Sequence, residues 1–495
     1  MALTIMLAAM NMNAATPKRE FRGVWIPTVG DRYFQQHNTQ ENKAYLLSML
    51  DSLQLMGCNA VIFHVRPQSD AFYKSELEPW SKWVTGKQGV PPDDPTWDPL
   101  TMMVDESHKR GMELHAWINP YRVGWRDQLC PEHPYFKHPE RFVEYNTQLY
   151  FDPAYKENRD FINKVVKDIV TRYDIDALHM DDFFYPYPKN GLEFMDTTSY
   201  EKLGRSKGWG DLADWRRHNV NMLIREMHDT IKAAKPWVRY GISPYGIWRN
   251  KKNDVNGSNT DERECYGTLF ADCLLWTEQG WLDYLIPQLY WELENEKTGV
   301  LELSHWWNRH TNGRHMYYGL FVDNTMDFKD IDDTSNPTQL DHKMRLIREL
   351  ENVAGVTWWP GSSLLQNYKG IADSLINKQQ AAHALVPQYP WIDDTAPDPV
   401  VDLRQERKAD AVEISWTAPP ADDPMQQTVK YVIYRFGKDE PVDLDNAGKI
   451  VAVTSDTHYR LPLAKKARKA KAILVVTALD RVNNESAGRQ VEVTL

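Results

Sequence analysis

The chain of 495 residues is 42% hydrophobic and 26% charged, which is typical of a folded globular protein with more than one domain and excludes a disordered chain. Its formal net charge of −11 argues against a nucleic-acid partner, because no basic surface large enough to neutralise many phosphates is evident. The four cysteines show no CxxC spacing, so the sequence indicates neither a structural zinc site nor a disulfide framework.

The first twenty residues, MALTIMLAAMNMNAATPKRE, contain an apolar run that ends in the small residues NAA. This pattern is similar to the apolar core and cleavage site of a secretory signal, although the usual basic start is missing. No later stretch is long and apolar enough to span a membrane. We therefore expect residues 1–20 to be a signal-like or disordered segment, and the protein to be exported, either periplasmic or associated with the cell surface.

One rhythm, a β-branched or aromatic strand followed by an amphipathic helix, repeats from residue 21 to about residue 370. Eight such repeats predict an α/β fold of the TIM, or (β/α)8, barrel type over residues 21–385. A doubly wound sheet is the alternative, but no Gly-rich phosphate loop follows the first strand. The predicted strands are FRGVWIPTV, NAVIFHVRPQ, MELHAWINPYR, IDALHMDDFFYP, VRYGISPYGIW, LDYLIPQLYWE, HMYYGLFVD and AGVTWWPG.

A change of pattern follows the barrel. Residues 386–396, VPQYPWIDDTA, belong to a proline-rich stretch and are predicted to be a linker. Residues 397–495 contain short alternating strands separated by turn signals, which predict a small all-β sandwich. The stretches EISW, YVIYR and VTALDRVNNES resemble those of fibronectin type III modules, which usually dock, space or recognise rather than catalyse.

Four predicted strands become more polar toward their carboxyl ends, on the face that alternation turns toward the barrel interior. Reacting residues lie at the carboxyl ends of the strands in barrels of this type. The converging polar ends therefore predict one binding pocket there. The residues concerned are His64, Arg66 and Gln68 on the second strand, His115 and Asn119 on the third, His179 and Asp181 on the fourth, and Gln288, Tyr290 and Glu292 on the sixth.

The stretch HMDDFFYPYP, residues 179–188, places two carboxylates immediately before an aromatic run. Alternation turns Asp181 inward with His179, and it turns Asp182 sideways toward a loop or a helix N-terminus. The aromatic residues lower the local dielectric and offer a wall on which a sugar ring stacks. Asp181 is therefore predicted to be a nucleophile, or an acid or base with a shifted pKa, whereas Asp182 is either catalytic or a loop cap.

Several motifs, in order along the chain and mostly at strand ends, resemble the glycosyl hydrolase-like family ten. They are FRGVWIPTV, VRPQSDAFYKSELEPWS, HAWINPYR, HMDDFFYPYP, YGISPYGIWRN, DYLIPQLYW and GVTWWPG. The resemblance extends from about residue 20 to residue 370 and implies a (β/α)8 barrel. It also implies an enzyme that cleaves the glycan strands of peptidoglycan after their stem peptides have been removed.

A more distant likeness, to alpha-amylase-type and alpha-galactosidase-type barrels, assigns roles. In those barrels the fourth strand ends in an aspartate nucleophile with a basic residue two positions earlier, which here are Asp181 and His179. Histidine replaces the usual Arg or Lys, so the charge beside Asp181 is expected to depend on pH. Glu292 is the expected acid/base, and Asp182 or Asp70 is the alternative. The amylase-like spacing of His179 and Asp181 favours retention of configuration at the anomeric carbon.

A groove of polar and aromatic residues is expected to bind the glycan. Its two arginines, Arg66 and Arg122, suit an acidic or N-acetylated sugar, because a carboxylate or an amide oxygen accepts their hydrogen bonds. The predicted substrate-binding residues are Asp70, Arg66, His115, Asn119, Tyr121, Arg122, His179, Tyr245, Trp248, Gln288, Tyr290 and Trp358.

Two other functions fit parts of the pattern. His64, His115 and His179 lie on three strands and would hold a metal ion in a polysaccharide deacetylase or amidohydrolase, although the HxH and HExxH spacings common in such sites are missing. A noncatalytic glycan-binding barrel would use the same aromatic residues. The sequence favours a glycoside hydrolase that acts as a monomer on a bacterial or complex polysaccharide, without a metal or cofactor.

Overall fold

The computed structural model describes residues 16–189, 191–332, 335–463 and 470–495. Residues 1–15 of the predicted signal-like segment lie outside the described residues. In the described part of the chain, none of the helices combines the length and the apolar character needed to cross a membrane.

Eight parallel strands close into a barrel, which confirms the predicted (β/α)8 fold. Around the barrel the strands follow the order β1, β8, β7, β6, β5, β4, β3 and β2, so each is paired with its neighbours in sequence. They are β1 (Phe21–Ile26), β2 (Ala60–Arg66), β3 (Glu113–Ile118), β4 (Ala177–Met180), β5 (Arg239–Ile242), β6 (Tyr284–Leu285), β7 (His315–Phe321) and β8 (Val353–Trp359).

A helix follows each strand and covers the outside of the barrel. Local signals set several helix starts: Asn38 and Glu41 form a reciprocal capping box before the first, and Asp98 caps the second just ahead of Pro99. These helices are α1 (Thr39–Leu55), α2 (Pro99–Lys109), α3 (Lys156–Arg172), α4 (Leu212–Ala234), α5 (Cys273–Glu278), α6 (Val300–Asn308), α7 (Leu340–Glu349) and α8 (Ile371–Ser374). Additional short helices are Tyr33–Gln36, Lys82–Thr85, Thr197–Ser199, Val322–Asp327 and Gly361–Leu365.

The barrel interior is filled by side chains of the predicted inward parity. Phe21 stacks on Tyr317 with ring centroids 4.1 Å apart, and both pack in one buried cluster with Ile62 and Tyr284. Gly241 is needed beside this cluster, because a Cβ there would lie 2.0 Å from the Tyr284 ring. The interior is therefore a packed core that supports the polar residues at the strand ends.

Two strand-end residues leave the inward face for reasons that alternation alone does not reveal. The register of β2 against β3 shifts between His64 and Arg66, so Arg66 is paired with Ile118 rather than with an inward residue. On β8, Trp358 is paired with the outward-facing Val24 and is fully buried. The expectations that Arg66 and Trp358 face the groove are therefore corrected.

A small antiparallel sheet follows β3 and overlies the carboxyl end of the barrel. Its strands are Arg122–Trp125, Phe142–Tyr145 and Gln148–Phe151, and the last of these lies in the middle. This insertion holds Arg122 at the barrel mouth.

The carboxyl-terminal region forms two further antiparallel sheets. Buried side chains of both sheets, among them Ile414, Trp416, Ile433 and Leu474, share one core, as the predicted sandwich requires. The first sheet has the order β9, β10, β13 and the second the order β12, β11, β14, β15. The strands are β9 (Val401–Arg407), β10 (Ala411–Thr417), β11 (Lys430–Gly437), β12 (Ile450–Thr454), β13 (His458–Pro462), β14 (Lys471–Leu479) and β15 (Arg489–Thr494).

The sandwich packs against the amino-terminal end of the barrel. Val482 belongs to the same buried cluster as the barrel interior, and the next residue, Asn483, donates a 2.9 Å hydrogen bond to Glu113 at the start of β3. Arg239 at the start of β5 forms a 2.6 Å ion pair with Glu113 and donates to the carbonyl of Arg481 at 2.8 Å. The sandwich thus closes the end of the barrel opposite the strands' carboxyl ends.

The predicted linker, residues 386–396, is packed between the two domains. Tyr389 is fully buried, and its hydroxyl lies 2.8 Å from that of Tyr317 inside the barrel. Trp391 donates through its indole nitrogen to Asp283 at 2.9 Å. The segment therefore fixes the sandwich to the barrel instead of acting as a free spacer.

Candidate active site

A cavity of about 350 Å³ opens at the carboxyl ends of the barrel strands. Strand ends on both sides of the barrel contribute to it, and it contains the two predicted carboxylates of the fourth strand. The lining residues are Trp25, Pro27, Val29, His64, Trp117, Arg122, Asp181, Asp182, Phe183, Tyr187, Ser243, Gln288, Tyr290 and Trp359.

Asp181 is held by a short hydrogen-bond relay from the neighbouring strands. Asn119 donates through Nδ2 to Asp181 Oδ1 at 2.6 Å, and the Phe183 backbone N–H reaches the same oxygen at 3.3 Å. The oxygen of the Asn119 amide therefore accepts from His64 Nε2, 2.9 Å away. Burial raises the pKa of Asp181, while the charge of Arg122 and the Asn119 hydrogen bond oppose that rise.

Asp182 lies in the same cavity but has different partners. The Tyr187 hydroxyl donates to its Oδ2, and the Gln288 side chain also hydrogen-bonds to this carboxyl group. Burial, together with the adjacent charge of Asp181, raises the pKa of Asp182 to about 7. Burial thus raises the pKa of both carboxyl groups. The charge of Arg122 favours the ionised form of Asp181, whereas the charge of Asp181 favours the protonated form of Asp182.

Arg122 brings a positive charge to the cavity. Its guanidinium lies 3.9 Å from the centroid of the Phe183 ring, a cation–π arrangement. Within the described residues it forms no ion pair and donates no side-chain hydrogen bond, so its donors remain available to a ligand. The stretch that contains Asp182 and Phe183 thus also positions this arginine.

Tryptophan rings from β1, β3 and β8 form an aromatic wall of the cavity. Trp359, at the end of β8, packs edge to face against Trp25 and Trp117, with centroid separations of 6.5 and 6.2 Å. Trp117 also stacks on His64 at 3.8 Å. Flat apolar surfaces of this kind suit the apolar face of a sugar ring.

A chain of buried hydrogen bonds runs along the barrel axis below the cavity. Trp25 donates through Nε1 to His179 Nε2 at 3.2 Å, so His179 carries its ring hydrogen on Nδ1 and donates at 3.2 Å to the Tyr284 hydroxyl. Tyr284 donates at 2.8 Å to His115 Nδ1, and His115 donates through Nε2 to Glu113 at 3.1 Å. Glu113 thus connects the sandwich domain with the floor of the cavity.

The three histidines inside the barrel, His64, His115 and His179, are surrounded by buried side chains that disfavour their charged forms. Burial lowers the pKa of His64 and of His179 well below the ordinary value, and it lowers that of His115 as well. This corrects the expectation that His179 supplies a pH-dependent charge beside Asp181; the nearby positive charge is that of Arg122. Hydrogen bonds occupy both ring nitrogens of His115 and His179, so these histidines do not form a metal-ligand set with His64.

The nearest approach to a metal-ligand cluster lies elsewhere. Among the residues that the structure describes, Asp330, Asp332 and His342 bring three potential ligand atoms within 4.8 Å of one another. None of them lines the cavity.

Glu292, the expected acid/base, does not line the cavity. Regular pairing of β6 ends at Leu285, isolated bridges continue it to Gln288, and beyond Tyr290 the chain leaves the inward face of the barrel. Glu292 accepts a 3.3 Å hydrogen bond from Asn295. Burial lowers the pKa of the nearby Lys343 to about 7, and the charge of Glu292 partly offsets that effect. Glu292 therefore belongs to the loop outside the cavity.

Arg66 and Asp70 have structural partners away from the cavity. Arg66 donates to both carboxylate oxygens of Glu78, at 2.8 and 2.6 Å, and to the backbone carbonyl of Asn119 at 2.5 Å. Asp70 is fully buried and accepts from Gln88 at 3.3 Å, and burial raises its pKa to about 6. Neither group is free to contact a substrate.

The remaining predicted residues divide between the cavity and its surroundings. Arg122, Gln288 and Tyr290 line the cavity, and Asn119 and His179 hold lining residues in place. Tyr245 lies behind Tyr187, with ring centroids 6.3 Å apart. Three predicted residues lie away from the cavity. They are His115 in the barrel axis, Tyr121 in the core beneath the helices and Trp248, which stacks on Trp306 at 5.9 Å.

The prediction from polar strand ends missed part of the lining. Trp25, Ser243 and Trp359 lie on the inward face of strands whose ends are not strongly polar. The same alternation applied to β1, β5 and β8 would have found them. His64 and Trp117 lie on the inward faces of β2 and β3; the sequence predicts His64 as a pocket residue, or as a metal ligand in the alternative function, but gives no role to Trp117.

The family profile described as "Glycosyl hydrolase-like 10" matches residues 20–332, which include both aspartates and most of the barrel. The chain belongs to this family. A Bacillus subtilis (strain 168) relative, "Glycosyl hydrolase YngK", is 37% identical over 501 residues, which cover 98% of this chain and 95% of that protein. "Glycosyl hydrolase DigH" of Escherichia coli (strain K12) is 35% identical over 308 residues, covering 58% of this chain and 69% of that protein.

Solved structures resemble the chain at a lower level. The glycoside hydrolase domain of PgaB (BpsB) from Bordetella bronchiseptica matches with a TM-score of 0.48 and 11% identity, over 72% of this chain and 98% of that one. A likeness at this level carries no argument about function, so the activity is argued from the cavity itself.

Proposed function

We propose that the protein is a glycoside hydrolase whose reacting groups are Asp181 and Asp182. The observation that carries this proposal is the pair of buried carboxyl groups in one cavity, where Asn119 and Arg122 favour the charged form of Asp181 and the adjacent charge of Asp181 favours the protonated form of Asp182. Hydrolysis of a glycosidic bond needs a negative charge near the anomeric carbon and a proton for the leaving oxygen. Asp181 is the ionised group, and Asp182 is the proton donor.

Each group has the environment that its role requires. Asp181 accepts hydrogen bonds from Asn119 and the Phe183 backbone, and Arg122 favours its charged form. Asp182 has a pKa of about 7, which allows it to donate a proton and then recover one near neutral pH. Asp182 therefore takes the acid role for which the sequence favoured Glu292.

The substrate that fits best is an acidic or N-acetylated bacterial glycan. The free guanidinium of Arg122 suits a carboxylate or an amide oxygen, and the tryptophan wall suits sugar rings. Glycan strands of peptidoglycan from which the stem peptides have been removed carry both kinds of group. Membership of the family and the resemblance of the sequence motifs support this choice.

The remaining parts of the proposal concern location and organisation. The signal-like start of the sequence supports export to the periplasm or cell surface. The division of the sandwich into sheets of three and four strands supports its likeness to fibronectin type III modules. We propose that the protein acts as a monomer in which this module braces the barrel.

Incubation with a panel of cell-wall glycans and other polysaccharides, followed by mass spectrometry of the released fragments, tests the proposal. We expect fragments from N-acetylated glycans with the native protein, and about 10²–10⁴-fold less with Asp181→Asn or Asp182→Asn. Glu292→Gln, which removes a carboxylate outside the cavity, is the matched control and should remain active. Glycan binding without release of fragments would indicate a noncatalytic barrel, and loss of activity on treatment with a chelator would indicate a metal-dependent hydrolase.

A further inference from the structure

The two carboxyl groups approach the cavity from one edge of the barrel. Asp181 and Asp182 are consecutive residues just beyond β4, so their Cα atoms are about 3.8 Å apart. Asp181 turns toward β3, where Asn119 holds it, and Asp182 turns toward β6, where Gln288 holds it. They diverge along the rim but do not face each other across the cavity.

The opposite edge of the cavity is apolar. In the closed barrel β8 lies diametrically across from β4, and the lining contributed there and by β1 consists of Trp25, Pro27, Val29 and Trp359. Among the described lining residues, Asp181 and Asp182 are the two carboxylates. A retaining glycosidase with a nucleophile of its own places its two carboxyl groups on either side of the anomeric carbon. The geometry of this cavity does not provide that second position.

We propose that the missing nucleophile belongs to the substrate: the enzyme acts on 2-acetamido sugars, and the acetamido carbonyl oxygen attacks the anomeric carbon. This inference rests on the glycoside hydrolase function proposed above. It assigns Asp182 as the acid and Asp181 as the group that orients and polarises the acetamido N–H.

The bonds and protons balance with these two groups. Asp182 gives its proton to the glycosidic oxygen as the C1–O bond breaks, and the acetamido oxygen forms a bond to C1, which yields a cyclic oxazolinium ion. Asp181 stabilises that ion by accepting a hydrogen bond from its N–H. Asp182 then takes a proton from water, the water oxygen attacks C1, and the ring opens to restore the acetamide with overall retention.

Two independent features of the cavity suit an acetamido group. The hydrogen bonds from Asn119 and from the Phe183 backbone both reach Oδ1 of Asp181, which leaves Oδ2 as an acceptor for an N–H. The grouping of Trp25, Trp117 and Trp359 provides an aromatic surface on which the acetamido methyl group packs.

The test compares glycans that differ only in the 2-substituent, using the full chain. We expect cleavage of the acetamido glycan to slow progressively in its mono-, di- and trifluoroacetamido forms, because fluorine withdraws electrons from the attacking oxygen. The trifluoroacetamido form should react about a hundredfold more slowly, and the N-deacetylated glycan should not be cleaved. Equal rates across the series, with cleavage otherwise intact, would overturn this inference and leave the glycosidase function standing. Failure to cleave any glycan would contradict both this inference and the proposed glycosidase function.

A binding measurement gives a second readout that does not depend on turnover. The thiazoline derivative of N-acetylglucosamine mimics the cyclic ion, so it should raise the melting temperature of the native protein and of Asp182→Asn. It should fail to stabilise Asp181→Asn, which has lost the charge that faces the ring nitrogen. Equal stabilisation of Asp181→Asn and Asp182→Asn would contradict the assigned role of Asp181. Failure to stabilise any of the three proteins would contradict it as well.

Discussion

The side-chain amide of Asn119 donates a 2.6 Å hydrogen bond to Asp181 across the mouth of the barrel. The same amide accepts from the buried, neutral His64, so its orientation is fixed from both ends. Asp181 is thereby kept ionisable in a buried site, although burial alone favours its protonated form.

Removing this donor should change the pH dependence of activity. In Asn119→Ala, Asp181 loses a hydrogen bond that favours its charged form, so its pKa should rise. The acidic limb of the pH profile of kcat/KM should therefore shift to higher pH by about one unit. Asn295→Ala, next to Glu292 and outside the cavity, is the control and should leave the limb in place. An unchanged acidic limb in Asn119→Ala would show that Asp181 does not set it.

The basic limb of the pH profile of kcat/KM should follow the titration of Asp182. Its pKa of about 7 predicts that kcat/KM falls as the pH rises above neutrality, because the acid loses its proton. Tyr187→Phe removes a donor that favours the ionised form of Asp182, so the limb should move to higher pH. A movement to lower pH on measuring kcat/KM from pH 5 to 9 would argue against this assignment.

The same titration has a consequence for stability. The folded-state pKa of Asp182 lies above its unfolded value of about 3.9, so the folded state binds more protons and stability falls as the pH rises from about 4 to 7. Asp182→Asn does not titrate, and its melting temperature relative to the native protein should therefore be higher at pH 8 than at pH 5. The opposite trend in paired thermal melts would mean that Asp182 is ionised in the folded protein at low pH.

Arg122 should select for anionic glycans. Arg122→Gln should raise KM more for a glycan that carries carboxylates than for its carboxyl-reduced form, because only the former pairs with the guanidinium. Lysine at this position should restore the charge but not the fork of donors, so recovery should be partial. Arg404→Gln on the exposed face of the sandwich is the charge-matched control. Equal changes in KM for both glycans would contradict this role.

The contact between sandwich and barrel should depend on Glu113. This buried carboxylate pairs with Arg239 and accepts from Asn483, so Glu113→Gln leaves a buried arginine without its counter-charge. We expect the free energy of unfolding to fall by about 3–5 kcal/mol in urea titrations. The exposed pair of Glu406 and Lys408 provides a contrast, since Glu406→Gln should cost about 0–1 kcal/mol. Similar costs for both variants would show that the interface does not depend on this charge.

Alternation along the strands predicted much of the barrel and part of the site. It placed Asp181, Gln288 and Tyr290 in one cavity, because each continues the inward face of its strand. It failed at Arg66, where a register shift between β2 and β3 turns the side chain away. It also failed at Glu292, because the chain that follows β6 leaves the inward face of the barrel beyond Tyr290.

Other features depend on contacts between distant parts of the chain. The position of Glu113 at the start of a barrel strand suggests a solvated carboxylate, yet residues of the sandwich about 370 positions later cover it. The proton affinity of Asp182 depends on Tyr187, Gln288 and Asp181 together. No pattern within one strand reveals such an arrangement.

The most direct test of the central claim is the rate at which new reducing ends form in N-acetylated cell-wall glycan strands. The native protein, Asp181→Asn, Asp182→Asn and Glu292→Gln would be compared at pH 6, after circular dichroism has shown that all four are folded. The account predicts cleavage by the native protein and by Glu292→Gln, and a loss of about 10²–10⁴-fold in each aspartate variant. Near-native cleavage by either folded aspartate variant would contradict it.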